Sequence, residues 1–142
     1  MDTPPILSKS VLLVEDNELD ACLTYNVLQE CGTKIAVEIA STAEEGLTKV
    51  RSRPYDLIIC DYRLPGMDGF SFLKLAKRIR GDMPVILLTG YPSQDLEAQV
   101  IHHGSSTYLR KPVDAQTLSK VVRESLFAHT DQQTLNDRTI VA

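Results

Sequence analysis

Three carboxylates stand where apolar runs end. Glu15 and Asp16 follow Val11-Leu12-Leu13-Val14, and Asp61 follows Leu57-Ile58-Ile59-Cys60. Thr89 ends the run Val85-Ile86-Leu87-Leu88, and Lys111 comes shortly after Ser106 to Leu109. Short apolar runs bounded by turn residues read as strands buried on both faces. Acids at such ends are costly unless a cation answers them. One Lys cannot neutralise three carboxylates, whereas three negative charges, one positive charge and a dication sum to zero. All-oxygen ligands supplied by few protein groups suit Mg²⁺, with Mn²⁺ as an alternative, sharing its shell with water and phosphate. Thr89 can donate a hydrogen bond and Lys111 offers a compact positive charge, both suited to a phosphate. A central carboxylate can itself be the nucleophile and pass through an aspartyl phosphate. Asp61 lies between the other acids and Thr89, so it is the candidate. A free Asp has a pKa of about 3.9 and is a weak nucleophile. The donor must therefore be reactive already, and the site positions it and neutralises charge.

These residues are far apart in the chain, and an alternation of strands and helices brings them together. Leu19, Cys22, Leu23, Val27 and Cys31 recur at helical spacing after the first strand, and Gly32 closes that helix. Ile35, Val37 and Ile39 alternate as a second strand, and Ser41-Thr42-Ala43-Glu44 reads as a capping box for a helix ending before Pro54. Phe70, Leu73, Ala76 and Ile79 mark a third helix, Ser93 caps a fourth running to His103-Gly104, and Asp114 caps a fifth bearing Leu118, Val121, Val122 and Leu126. Five βα units with apolar strands give an α/β protein with a parallel sheet covered by helices on both faces. Every strand then ends on one edge, where ligands bind at the reversal of strand order. In a doubly wound order 2-1-3-4-5, the first and third strands are neighbours about 4.8 Å apart, and Lys111 lies about 10 Å from Asp61, a gap its side chain can largely close.

The 142 residues fit one domain with a sizeable core. With 43% apolar and 24% charged residues the chain reads as soluble and globular. A net charge of −4 argues against a nucleic-acid surface, and no apolar run is long enough to insert into a membrane. The start, MDTPPILSKS, is not a signal peptide. Cys22, Cys31 and Cys60 form no CxxC pair and read as buried free thiols, which points to the cytoplasm. Residues 1–9 read as an N-terminal extension, 10–129 as the domain, and 130–142 as a flexible or loosely packed tail.

VLLVEDN (11–17), DLIICDYRLPGMDGF (56–70), PVILLTGY (84–91) and STYLRKPV (106–113), in this order and spacing, resemble the response-regulator receiver domain of two-component signalling. The resemblance implies a flavodoxin-like doubly wound (βα)5 fold with Asp61 as phosphoryl acceptor. It implies Asp16 as the more direct metal ligand, Glu15 acting through water, and the backbone carbonyl of Arg63 as a third protein ligand. Thr89 resembles the switch hydroxyl, Tyr108 the switch aromatic and Lys111 the phosphate-binding lysine, with Lys111-Pro112 a cis peptide bond. Arg63 and Tyr91 occupy positions that tune phosphoryl lifetime in the family, and both are large enough to shield an acyl phosphate. The implied donor is a phosphohistidine of a histidine kinase or phosphotransfer protein. The implied output is a protein target met through the fourth helix, fifth strand and fifth helix. Such a domain catalyses only its own phosphorylation and dephosphorylation. Gly90 stands where Ala is common, and Ser105-Ser106 where Ala and an acid are usual. The second departure speaks against an ion-paired dimer, leaving a monomer or weak dimer.

Simpler roles compete for several residues. Glu18 and Asp20 suit the first turn of a helix, where negative charge is favoured. The string EDNELD lacks the Gly of a calcium loop, because Ala21 occupies the sixth position. Asp68 reads as a turn or cap residue, and His102-His103 as a solvated helix end favouring His⁺. Tyr108 can be a plain core aromatic. A phosphohydrolase usually carries a second Asp two residues after its nucleophile, where this chain has Arg63. A pseudo-receiver that works without phosphorylation typically loses the acceptor, the acid pair or the Lys, and all are present. The start at Met1 favours a single-domain regulator, with the receiver piece of a hybrid histidine kinase as the alternative.

Overall fold

A computed structural model describes residues 8–32 and 34–127. The elements alternate as read: β1 (Ser8–Val14), α1 (Glu18–Gln29), β2 (Lys34–Ala40), α2 (Ala43–Ser52), β3 (Leu57–Asp61), α3 (Gly69–Ile79), β4 (Val85–Thr89), α4 (Gln94–His102) and β5 (Ser106–Arg110). A fifth helix, α5, occupies residues 115–127. The strands form one parallel sheet in the order β2-β1-β3-β4-β5. β1 begins at Ser8, earlier than its apolar run, because Asp56 accepts a 2.8 Å hydrogen bond from the Ser10 amide and anchors the polar start. The proposed tail at 130–142 lies outside the described residues.

Side-chain alternation along the strands divides the core in two. Leu12, Val14, Ile58, Cys60, Val85 and Leu87 pack with Leu47, Phe72, Leu73, Leu96 and Val100 from α2, α3 and α4. Val11, Leu13, Leu57, Ile59, Ile86 and Leu88 pack with Ala21, Leu28, Leu118 and Val122 from α1 and α5. All five residues of β3 and of β4 are buried, as expected of central strands covered on both faces. Asp61 continues the series that faces α1 and α5, whereas Thr89 continues the series that faces α4.

Several helix starts follow the sequence. Asp68 caps α3 by accepting from the Ser71 amide at 2.8 Å, Ser93 caps α4 by accepting from Leu96, and Asp114 accepts from Thr117 at 2.8 Å. The capping box of α2 is displaced by one residue. Thr42 accepts from the Glu45 amide, and Glu45 accepts in return from Ser41. The polar face of that helix is held by Glu38 of β2, which pairs with Lys49 at 3.4 Å and with Arg53.

Two readings of the first half need correction. The buried face of α1 is Ala21, Thr24 and Leu28, while Leu19 and Leu23 are 68% and 56% exposed. Cys22 lies on that exposed side, so only Cys31 and Cys60 are buried thiols. The alternation of β2 holds, with Ile35 and Val37 on the α1 side and Ala40 on the α2 side, but Ile39 is left 43% exposed. β2 is an edge strand, and its end is less covered than the central strands.

Candidate functional site

The site lies at the C-terminal edge of the sheet, and backbone hydrogen bonds fix each of its strand ends. The Glu15 amide donates to Ala40 at 2.9 Å, the Tyr62 amide to Leu88 at 2.7 Å, and the Lys111 amide to Thr89 at 2.8 Å. After Asp61 the chain turns through Gly66, whose φ of +78° suits glycine. It returns so that the Gly69 amide donates to the Tyr62 carbonyl at 2.7 Å. At Gly69 even a methyl group is excluded, since a Cβ would meet the Asp61 carbonyl oxygen at 2.2 Å. The segment after β3 is therefore folded back onto the backbone of Asp61.

Glu15, Asp16 and Asp61 each offer an oxygen, and these oxygens lie within 4.8 Å of one another. Glu15 and Asp61 are buried and Asp16 is exposed. Burial, reinforced by the Asp61 charge, pushes the Glu15 carboxyl up to about 7. This marks negative charge that the protein alone leaves poorly compensated. Oxygen donors so gathered fit a hard divalent cation such as Mg²⁺. Glu15, Asp16 and Asp61 would hold it.

Lys111 reaches over the edge from β5. Its Nζ is 3.1 Å from Asp61 Oδ2, 3.4 Å from Glu15 Oε1 and 3.4 Å from Asp20 Oδ2. Burial alone would lower the lysine pKa, but the Asp61 hydrogen bond and the charges of Asp61, Glu15 and Asp20 outweigh it and raise the pKa. Asp20 was expected only to favour the helix start. It does stand in the first turn of α1, yet it also joins the site. Its signal in the sequence was position: three residues after the N-cap Asn17, it stands at the end of α1 that follows the acids.

Thr89 is buried, and its Oγ1 accepts from the Tyr91 amide at 2.9 Å, leaving its O–H proton available to another acceptor. Tyr108 is buried in the core on the α4 side, with its hydroxyl accepting from the Ser93 amide at 3.0 Å. The Lys111-Pro112 bond is cis. The Arg63 guanidinium lies 4.1 Å above the Tyr91 ring, so the residues two places after Asp61 and two after Thr89 meet at the surface. His103 differs from the charged helix end that was expected. It packs edge-on against Phe70 at 5.5 Å, and burial together with His102, Lys74 and Lys77 lowers its pKa.

Beside the acids runs a groove of about 400 Å³, lined by Glu15, Asp16, Cys22, Tyr25, Ile39 and Ser41 among others. Leu19 and Leu23 of α1 are also exposed. Among the described residues no helix is long and apolar enough to cross a membrane.

A family model described as the response regulator receiver domain matches residues 11–123. The chain is 34% identical over 119 residues to the transcriptional regulatory protein ZraR of Klebsiella oxytoca, covering 84% of this chain and 26% of that protein. It is 32% identical over 114 residues to the luminescence regulatory protein LuxO of Vibrio campbellii, covering 80% of this chain and 25% of that protein. The chain thus spans about a quarter of the length of these relatives. A CheY-like receiver domain protein from Methanospirillum hungatei superposes with a TM-score of 0.80 at 32% identity, covering 89% of this chain and 99% of that one. The chemotaxis response regulator CheY4 of Vibrio cholerae superposes with a TM-score of 0.74 at 29% identity, covering 84% and 100%.

Proposed function

This chain belongs to the response regulator receiver domain family, and on that premise we propose that Asp61 accepts a phosphoryl group from a phosphohistidine of a histidine kinase or phosphotransfer protein. Receiver domains are signalling modules of two-component systems rather than classical enzymes, and the family binds Mg²⁺ through an acidic cluster such as Glu15, Asp16 and Asp61. The single observation that carries the reading is Lys111 Nζ at 3.1 Å from an Asp61 carboxylate that shares its edge with Glu15 and Asp16.

In the transfer, an Asp61 oxygen bonds to phosphorus while the bond from phosphorus to the donor nitrogen breaks, and the electron pair leaves with the imidazole. Bound Mg²⁺ supplies charge neutralisation for the transferring group. Asp16, Glu15, Asp61 and the Arg63 carbonyl are its proposed ligands. Lys111 and the Thr89 hydroxyl bind phosphoryl oxygens. The domain then catalyses only its own phosphorylation and dephosphorylation, with Arg63 and Tyr91 slowing the attack of water.

The output is a population shift between two packings. Thr89 and Tyr108 both lie on the α4 side of the sheet. A phosphoryl group that draws the Thr89 hydroxyl changes the space available to the Tyr108 ring. The Ser93–Tyr108 hydrogen bond couples that ring to the start of α4, so the α4-β5-α5 surface follows and meets a protein target. Leu19, Cys22 and Leu23 are exposed on α1, the helix that follows Glu15 and Asp16, and a helical face of the phosphohistidine donor is their proposed occupant. The reading is of a receiver that works in the cytoplasm.

The test is incubation with Mg²⁺ and acetyl phosphate, followed by intact mass. Gain of one phosphoryl group, abolished by EDTA and by Asp61→Ala, is expected. No uptake from acetyl phosphate or from any phosphohistidine protein would instead favour a domain that acts without phosphorylation.

A further inference from the structure

An ammonium has three N–H donors. In this structure Lys111 Nζ donates to Glu15 and to Asp20, each at 3.4 Å, and ion-pairs with Asp61 at 3.1 Å. Asp61 and Glu15 belong to the group that gathers around the cation position. Asp20 lies outside that group. It is held on the first turn of α1, where the Asn17 side chain accepts from its backbone amide at 2.9 Å.

A phosphoryl oxygen that takes an N–H of Lys111 competes with these carboxylates for it. Asp61 is the group being modified. Glu15 is buried, and its other oxygen accepts from the Asn17 amide at 3.2 Å. Asp20 is the easiest to displace: its side chain is 44% exposed against 3% for Glu15 and 10% for Asp61, so water can replace the lost contact. We propose that Asp20 is the exchange partner of the phosphoryl group on Lys111. It is a positioning residue that holds the ammonium before transfer and yields it afterwards. The proposal rests on the phosphoryl-accepting reading above.

Two effects of opposite sign follow. The Asp20 charge draws a cation to the edge, and it opposes an anionic donor by its field and by competing for Lys111. With acetyl phosphate, an Asp61 oxygen bonds to phosphorus as the bond from phosphorus to the acetyl oxygen breaks, and acetate leaves with the electron pair. The acceptor side chain becomes more negative, and release of Asp20 to water relieves the crowding.

The experiment compares wild type, Asp20→Asn and Asp20→Glu. Mg²⁺ affinity is measured by calorimetry, and initial phosphoryl uptake from acetyl phosphate by intact mass at saturating Mg²⁺. Asp20→Asn keeps the shape and removes the charge. It is expected to bind Mg²⁺ about threefold more weakly yet take up phosphoryl about threefold faster, the scale of one partly exposed charge. Asp20→Glu is expected to restore both values. A merely structural role would move both in the same direction. Uptake by Asp20→Asn that is unchanged or slower, while wild type is phosphorylated, overturns the exchange alone. A wild type that takes up no phosphoryl group overturns the underlying reading and the exchange with it.

Discussion

The Arg63 guanidinium stacks 4.1 Å above the Tyr91 ring, joining the loop after β3 to the loop after β4 beside Asp61. Tyr91 is 62% exposed, so the pair forms a cover rather than part of the core. An exposed cation–π contact is worth about 0.5–1 kcal/mol, which sets the scale of its effect on a shielded acyl phosphate at about two- to fivefold. Arg63→Ala with Tyr91→Ala is expected to lose the phosphoryl group faster than wild type by that factor. Each single change should give most of the effect, because either one breaks the stack. Decay of radiolabel after removal of the donor measures it, and slower decay in the double variant would contradict the shielding role.

Leu23 on the exposed side of α1 separates the two kinds of donor. Leu23→Asp is expected to reduce transfer from a phosphohistidine protein about tenfold, the cost of losing one interface anchor. Uptake from acetyl phosphate should stay as in wild type, since a small donor needs no docking face. Equal loss with both donors would show that the substitution disturbs the site itself.

Glu15 makes the stability of the metal-free protein depend on pH. Its folded pKa is about 7 against an ordinary value of 4.5, because burial and the Asp61 charge disfavour ionisation. The unfolded chain therefore ionises first as pH rises. The stabilisation is complete below about 4.5 and is lost as pH climbs through about 7. The Tm of wild type should fall over this window relative to Glu15→Gln. Mg²⁺ favours the ionised site, so its stabilising effect should be larger at about pH 8 than at about pH 5. A Tm difference between the two proteins that is flat with pH would count against this account.

Gly69 has no room for a side chain. A Cβ would sit 2.2 Å from the Asp61 carbonyl oxygen and 2.9 Å from a Leu87 methyl carbon, and backbone cannot swing aside as a flexible side chain can. Gly69→Ala is expected to destabilise the fold by about 1–3 kcal/mol, the usual range for overpacking. It should also slow phosphoryl uptake by moving Asp61. Thermal unfolding with an uptake assay tests both, and wild-type values in each would refute the close-packing argument.

Element order, strand order and the central acids were legible because the signals are local or topological. The run Leu57 to Cys60 is short, apolar and bounded by turns, and such strands have one natural place in a βα series. Caps such as Asp68 and Ser93 were legible because the hydrogen bond spans only three residues. The buried face of α1 was not. Leu19, Cys22 and Leu23 have the spacing of a core stripe, but periodicity names an apolar side without saying what covers it. Here the sheet takes Ala21, Thr24 and Leu28 instead.

The sequence by itself determined that acids, a hydroxyl and a lysine end the strands of one parallel sheet, because parallel strands with right-handed crossovers must present those ends on a single edge. Only the tertiary structure decided which side chains meet there. Asp20 reaches Lys111 because α1 starts where the long lysine side chain crosses the edge. Arg63 meets Tyr91 because two loops from neighbouring strands converge. Such contacts depend on rotamers and on the path of loops between elements, which no local pattern encodes.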